Sequence, residues 1–390
     1  MPEEGTVTLA NWQDPPFNRW SFQHVSELIP TVRISRGAGP VWDLPHAERD
    51  LSGTRFRTGG REMTVGALLE ETYTDGFLVL HQGRIVAEQY LNGMTPGTRH
   101  LLMSVSKSVT SAIAGVLAGR GVIDVAAPLA EVVPELRGTS FDGATVQHLL
   151  DMRTGTQFDE TYDDPNADVR VYEQVYLWRP RDGRPLPRDA IGYFATLDND
   201  GAHGGPFRYR SILTDVLAWA LERASGERLH QLIARYLWQP MGAEFDAEMT
   251  VDGRGNPMAD GGMCVTLRDL ARFGQVFLQG GRRGRRVIVP AAWIEDTIRG
   301  APDGARAFVE GDNPPGYPDG AHYRNCWWVR DPGIPFFHAS GINGQNLFIH
   351  VPSLTVVAKL STWPVALSPD MLDATVAAVI AIAETLADRR

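Results

Sequence analysis

The sequence predicts an α/β protein made of a discontinuous α/β domain and an inserted, mainly helical one, and three observations lead there. Strand-type runs occur early, in "GFLVLHQGRIVAEQYLNG" at 76–93, and late, in "YRNCWWVR", "NLFIHV" and "LTVVAKLS". Between them, from Ser104 to about Phe245, the signals are mostly helical. The chain then closes with "PDMLDATVAAVIAIAETLADRR", which reads as an amphipathic helix. Strands at both ends of a helical middle place residues 1–100 and 258–390 in one domain and 101–257 in the other.

Each element has its own signal. In 76–93 two β-type stretches flank Gln82-Gly83, which marks a hairpin turn. "SKSVTSAIAGVLAGRG" carries apolar Val109, Ile113, Val116 and Leu117 and runs into glycines, a helix with its stop. "TVQHLLDM" continues the helical theme, and "SILTDVLAWALERASGERLHQLIARYLWQPMG" divides into two helices at Ser225-Gly226. "GGRRGRR" at 280–286 is the one basic cluster, and its glycines and lack of aromatic neighbours make it a solvated loop.

With 390 residues, 43% of them hydrophobic, the chain can bury a large core. A net charge of -10 without any compensating basic run argues against general binding to nucleic acid or anionic membranes. No apolar stretch is long enough to span a bilayer. The opening "MPEEGTVTLANWQDPPFNRW" is acidic where a signal peptide is basic, and Cys264 and Cys326 are the only cysteines, so a cytoplasmic protein with reduced thiols is expected. The ten histidines form no cluster of ligand spacing, so neither a metal nor a cofactor is expected.

Basic residues pose a sharper question. The chain has two lysines, Lys107 and Lys359, and every other basic residue is arginine. Arginine stays protonated, whereas a desolvated lysine can lose its proton near neutral pH and act as a base. In "HLLMSVSKSV" Ser104 lies three residues before Lys107; at the start of a helix the two share a face, while Ser106 and Ser108 point elsewhere. The spacing therefore selects Ser104 as the nucleophile. Such a helix start also offers free N–H groups to a developing negative charge. S-x-x-K alone is a short motif, so its context carries the argument.

That context contains more chemistry. "PFRYRSILTDVLAW" places Tyr209 just ahead of a helix with Ser211 two residues on, and a tyrosine there can shuttle a proton to a leaving group. In "HASGINGQNLFIH" small residues at a strand entrance let the backbone approach a ligand and present an N–H to an oxyanion.

S-x-x-K, then Y-x-S, then the entrance Ala339-Ser340-Gly341, in that order, resemble the layout of serine β-lactamases, penicillin-binding proteins and their esterase relatives. "TVQHLLDMRTGT" is similar to the segment that follows the nucleophile helix in class C enzymes. Within that superfamily the chain resembles the nylon-oligomer hydrolases that cleave the 6-aminohexanoate dimer. The likeness runs through "NWQDPPFNRW", "HLLMSVSKS", "YDDP", "TDVLAW", "RDLARFG", "GINGQNL" and "VAKLSTWP", nearly the whole chain.

The resemblance implies a β-lactamase-like fold: an antiparallel sheet flanked by N- and C-terminal helices, with the active site between it and the helical domain. It implies Ser104 as acyl-accepting nucleophile, Lys107 as general base, Tyr209 as proton relay, and the backbone N–H groups of Ser104 and Ile342 as oxyanion hole. It further implies substrate contacts from Tyr162 on a loop that closes over the site, from Glu173 as partner of a substrate ammonium, from Trp178 as lid aromatic, and from Ser211, Asp260 and Asn343. Asp260 stands where those relatives have asparagine, Asn343 where they have histidine, and Glu173 is one methylene longer than their aspartate. An extra acid in the cleft favours cationic groups or raises a neighbouring carboxyl pKa. The implied substrate is a small linear amide or short-chain ester cleaved through an acyl-enzyme; a homodimer is left open.

Other readings compete. A carboxylesterase with this same site but no nylon-oligomer activity is the main alternative. A weak β-lactamase or a non-turnover penicillin-binding relative is a further one; the absence of a K-T-G triplet at Ala339-Ser340-Gly341 argues against efficient lactam turnover. An α/β-hydrolase esterase would need a G-x-S-x-G elbow, and none is present.

Overall fold

The computed structural model describes residues 5–387. The strands that build its two main sheets are β1 (Thr31–Ile34), β2 (Thr74–His81), β3 (Arg84–Tyr90), β4 (His100–Leu101), β5 (Ala247–Thr250), β6 (Met263–Val265), β7 (His322–Arg324), β8 (Trp327–Asp331), β9 (Phe336–Gly341), β10 (Gln345–His350) and β11 (Thr355–Ser361). The helices that bear on the site are α1 (Val65–Glu71), α2 (Val105–Gly119), α3 (Asp168–Val175), α4 (Ile212–Ser225), α5 (Leu267–Leu278) and α6 (Pro369–Ala387).

The larger sheet is antiparallel with order β7-β8-β9-β10-β11-β2-β3, so the late strands and the early hairpin join through β11 and β2. Gln82 (φ 51) and Gly83 (φ 75) form the expected hairpin turn, both left-handed, which suits the twist of the flanking strands. β2 is buried at every residue because both faces of the sheet are covered. Val356, Ala358 and Leu360 of β11 belong to the core shared with α5, while Val357 joins the core under α1 and α6.

The helical segment follows its sequence signals. α2 is buried from Val105 to Leu117, and α4 stops at Gly226, left-handed at φ 73. Two features exceed the sequence reading. "YRNCWWVR" is the β7–β8 hairpin and not one strand; it turns at Asn325 (φ 51) and Cys326 (φ 58) without the glycine that would have marked it. A second antiparallel sheet, β1-β5-β6-β4, draws β5 from the helical segment and β6 from the α/β one. Strands of two to four residues carry too little alternation to be read from sequence.

The serines near Ser104 are fasteners of this fold. Ser106 Oγ accepts the Met263 N–H of β6 at 3.1 Å, and Ser108 Oγ donates to the Cys326 carbonyl at 2.7 Å. Both are buried. Ser106→Ala leaves the Met263 donor unpaired, and denaturant unfolding should show a loss of ~1–3 kcal/mol.

Candidate active site

The site begins with a strained turn. Met103 is left-handed at φ 47, a costly conformation for a side chain of that size, and it throws Ser104 onto the N-cap of α2. A serine there usually caps the helix through its hydroxyl; Ser104 makes no such bond, so its Oγ stays free for Lys107.

Lys107 is buried, and its Nζ donates to three acceptors: Ser104 Oγ at 2.8 Å, Ser211 Oγ at 3.0 Å and the Asp260 carbonyl at 2.8 Å. Three donors meeting three acceptors is the pattern of an ammonium. Burial pushes the Lys107 pKa down, but Tyr209, Asp260 and Glu160 outweigh it, and the amine stays above its ordinary value. The magnitudes agree: desolvating an ion costs several kcal/mol, while each charge-assisted bond returns ~1.5–3 kcal/mol, and nearby carboxylates add to that. From the sequence, burial is expected to let Lys107 lose its proton near neutral pH. The correction is that Lys107 rests protonated, because the segments that bury it also bring acids.

Tyr209 completes the centre. Lys107 Nζ lies 5.2 Å from its ring centroid, and the ring stacks on Trp328 at 5.5 Å. Burial raises the Tyr209 pKa; Lys107 and a hydrogen bond with Ser104 lower it only in part, so the phenol stays protonated at neutral pH. Behind these groups sits Glu160. Its Oε2 accepts the Ser211 N–H at 2.9 Å, capping α4, and its Oε1 accepts from the hydroxyls of Ser211 and Tyr162. A continuous path therefore runs from Lys107 through Ser211 to Glu160.

The candidate oxyanion pair is set by close approach. A Cβ on Gly341 would lie 2.7 Å from the Leu102 carbonyl and 2.9 Å from Ser104 N, so only glycine lets the end of β9 seat against the nucleophile turn. Ile342 is the next residue, which brings its backbone beside that of Ser104.

This geometry agrees with the comparisons to known proteins. A family model described as Beta-lactamase matches residues 64–382. The chain belongs to the beta-lactamase family. It is 39% identical over 362 residues to 6-aminohexanoate-dimer hydrolase of Paenarthrobacter ureafaciens, covering 92% of this chain and 89% of that protein. A solved structure from Bacillus anthracis, named for the same dimer hydrolase, superposes with a TM-score of 0.89 at 27% identity, covering 100% of this chain and 99% of the other. A family VIII carboxylesterase shares the fold, with a TM-score of 0.58 at 17% identity, covering 78% of this chain and 92% of that one. Among the described residues no helix is long and apolar enough to cross a membrane, and no group of His, Cys, Asp and Glu is arranged to hold a metal.

Around this beta-lactamase-family centre the other sequence-predicted residues separate. Ser211 and Tyr162 stand in the network, Tyr162 held by Glu160 and by Arg170, whose guanidinium lies 5.5 Å from its ring centroid. Asp260 is buried with Oδ1 unpartnered; burial raises its pKa to about 6 even though Lys107 pulls it down. Three assignments need correction. Glu173 does not offer a bare carboxylate, because Oε1 takes Arg170 at 2.8 Å and Oε2 takes Arg179. Trp178 is no exposed lid; it is buried, donates to Thr250 Oγ1 at 3.1 Å and packs edge-on against Trp12. Asn343 gives its Nδ2 to the carbonyls of Trp363 at 3.0 Å and Val365 at 3.3 Å, so this amide ties loops together.

Two residues went unnoticed in the sequence. Glu160 looks like any loop acid, two residues before Tyr162. Asp215 carried a usable signal, since it follows Ser211 by four and so shares its helix face. Its Oδ1 accepts the Asp260 N–H at 3.0 Å and its Oδ2 the Tyr172 hydroxyl at 2.9 Å, which anchors the residue whose carbonyl accepts from Lys107. Burial, and then Asp260, push its pKa far up.

Two outcomes follow from these distances. Gly341→Ala should cut kcat by ~10²–10³, the effect of losing one oxyanion donor, with KM little changed in steady-state assays. Glu173→Gln breaks a buried ion pair, so it should lower the melting temperature and reduce turnover of charged and neutral substrates alike. A loss confined to ammonium-bearing substrates would restore the binding role.

Proposed function

We propose that this protein is a serine hydrolase that cleaves linear amides of the 6-aminohexanoate-dimer type and short-chain carboxyl esters through an acyl-enzyme on Ser104. The observation that carries it is the Ser104–Lys107–Ser211 contact with Tyr209 beside it. Lys107 enters charged, so a proton leaves it first: Lys107 gives one to Ser211 Oγ as Ser211 gives its own to Glu160. The neutral amine then takes the Ser104 proton while Oγ bonds the substrate carbonyl carbon. Negative charge gathers on the carbonyl oxygen, toward the N–H groups of Ser104 and Ile342. Tyr209 protonates the departing nitrogen or oxygen as its bond to carbon breaks, and recovers a proton from Lys107. Water then repeats the sequence on the ester.

A second reading, a carboxylesterase without nylon-oligomer activity, is favoured by one observation: the carboxylate that would take a substrate ammonium is already paired with two arginines. Turnover of p-nitrophenyl acetate and of the linear 6-aminohexanoate dimer by the purified protein decides between them. Cleavage of both supports the first reading; ester cleavage with no dimer cleavage supports the second.

The nucleophile and base are tested separately. Ser104→Ala should abolish ester hydrolysis and fluorophosphonate labelling, whereas Ser106→Ala keeps most of both. Lys107→Arg should fail nearly as badly as Lys107→Ala, because a guanidinium cannot release its proton. Near-normal turnover by the arginine variant would show that the position needs only charge.

A further inference from the structure

The chain's other lysine is as buried as the first and has no part in the reaction above. Lys359 sits on β11, fully inaccessible, opposite Asn346 of β10 and Phe77 of β2. Its Nζ donates to Ser361 Oγ and lies 5.9 Å from the centroid of the Trp363 ring. Those two residues belong to the segment that cradles the turn after Ile342. Ser361 N donates to Gln345 Oε1 at 3.1 Å, and Gln345 Nε2 returns bonds to the Ser361 carbonyl at 2.6 Å and the Asn343 carbonyl at 3.1 Å. Trp363 N donates to the Asn343 carbonyl at 3.1 Å, and Asn343 Nδ2 to the Trp363 carbonyl at 3.0 Å. Trp363 also packs flush on Gly344, where a Cβ would come within 2.3 Å of the indole.

The surroundings of Nζ are short of acceptors. Asn346 Nδ2 and Trp363 Nε1, both buried, are donors that find no partner among the described residues. A neutral amine can accept a bond from such donors, whereas an ammonium only adds another donor. We propose that Lys359 is a positioning residue for the oxyanion turn, working as a neutral amine that holds Ser361 and Trp363 against Asn343–Gln345 and so sets the Ile342 N–H. This rests on the acyl-transfer reading of the site. Protonation puts an unmatched charge beneath the turn and displaces its support.

The charges around Lys359 fit that role. Burial lowers its pKa to about 7, and Asp75 on β2 only partly restores it. Asp75 is itself committed to Arg19 at 3.0 Å and His100 at 3.1 Å. On β9 and β10, His338 and His350 have pKa values lowered by burial, and His81 and His350 lie at the far ends of their strands. The acids of the covering helices, Glu70 and Glu71 on α1 and Asp370, Asp373 and Glu384 on α6, are exposed to solvent.

Two lysines make the test direct. Protein labelled with [15N]lysine has two side-chain signals, and Lys107→Met leaves that of Lys359 alone. Its Nζ should titrate near pH 7, and the Ile342 backbone amide shift of the wild type should follow the same midpoint. On p-nitrophenyl acetate, wild-type kcat should fall roughly tenfold between about pH 7.5 and 5.5 at constant KM, and Lys359→Met should lack that limb. Titration of Lys359 near 10, an Ile342 shift that ignores it, or superimposable profiles for wild type and Lys359→Met would overturn the proposal. If the wild type hydrolyses nothing, the acyl-transfer reading fails on its own, while the two NMR titrations still decide the coupling. They also decide it if the methionine variant does not fold.

Discussion

A buried ammonium that requires three acceptors at once is the constraint on which the rest of this structure turns. Lys107 takes them from three separate stretches: Ser104 at the start of α2, Ser211 at the start of α4, and the Asp260 carbonyl before β6. Removing any one leaves a buried charge short of a partner, which costs more than the bond itself returns. Each stretch is therefore anchored a second time. Ser106 fastens α2 to β6, Glu160 caps α4, and Asp215 holds the Asp260 peptide from behind. The nucleophile is positioned by the same bonds that make the lysine tolerable in the core.

Much of this was legible in the sequence because it lies at short range. The i to i+3 spacing of Ser104 and Lys107, the glycines after α2 and the Ser225-Gly226 break each act within one or two helical turns, where sequence separation is a fair measure of distance. The two-residue spacing of Tyr209 and Ser211 is equally local, and the fold brings both to Lys107, Ser211 as an acceptor at 3.0 Å and the Tyr209 ring at 5.2 Å. What escaped depends on contacts across the chain. Glu160 meets Ser211 over a separation of 51 residues. Glu173 is a different case: its pairing with Arg170 is an i to i+3 contact within α3, a local spacing open to sequence reading, and Arg179 just beyond the helix takes its other oxygen. Trp178 and Asn343 make internal bonds that family position could not foresee, because it says where a backbone lies and leaves open what a side chain is bonded to.

The acids deserve to be considered together. Glu160, Asp215 and Asp260 surround one cation, with Glu173 close enough to raise the Asp260 pKa. Asp215 and Asp260 are coupled to each other, and ionising both is disfavoured because each is buried and each carries a like charge beside the other. Burial is the largest cause of the strongly raised Asp215 and of the Asp260 value of about 6, and the neighbouring acids add to it. Glu160 is joined to Lys107 through Ser211, which gives the proton path of the proposed reaction its geometry.

The two lysines show why residue identity alone could not settle the chemistry. Both are wholly buried, and for both burial is the largest influence and favours the neutral amine. Around Lys107 the field is made of acceptors and carboxylates, and the net shift is upward. Around Lys359 there is one hydroxyl acceptor, one aspartate already paired with Arg19 and His100, and two unpartnered donors, and the net shift is downward. Replacing either with arginine would be tolerated by the first environment electrostatically and by the second not at all. A chain that uses arginine everywhere else thus keeps lysine at two buried positions whose surroundings shift the amine in opposite directions, and only a lysine can respond to both.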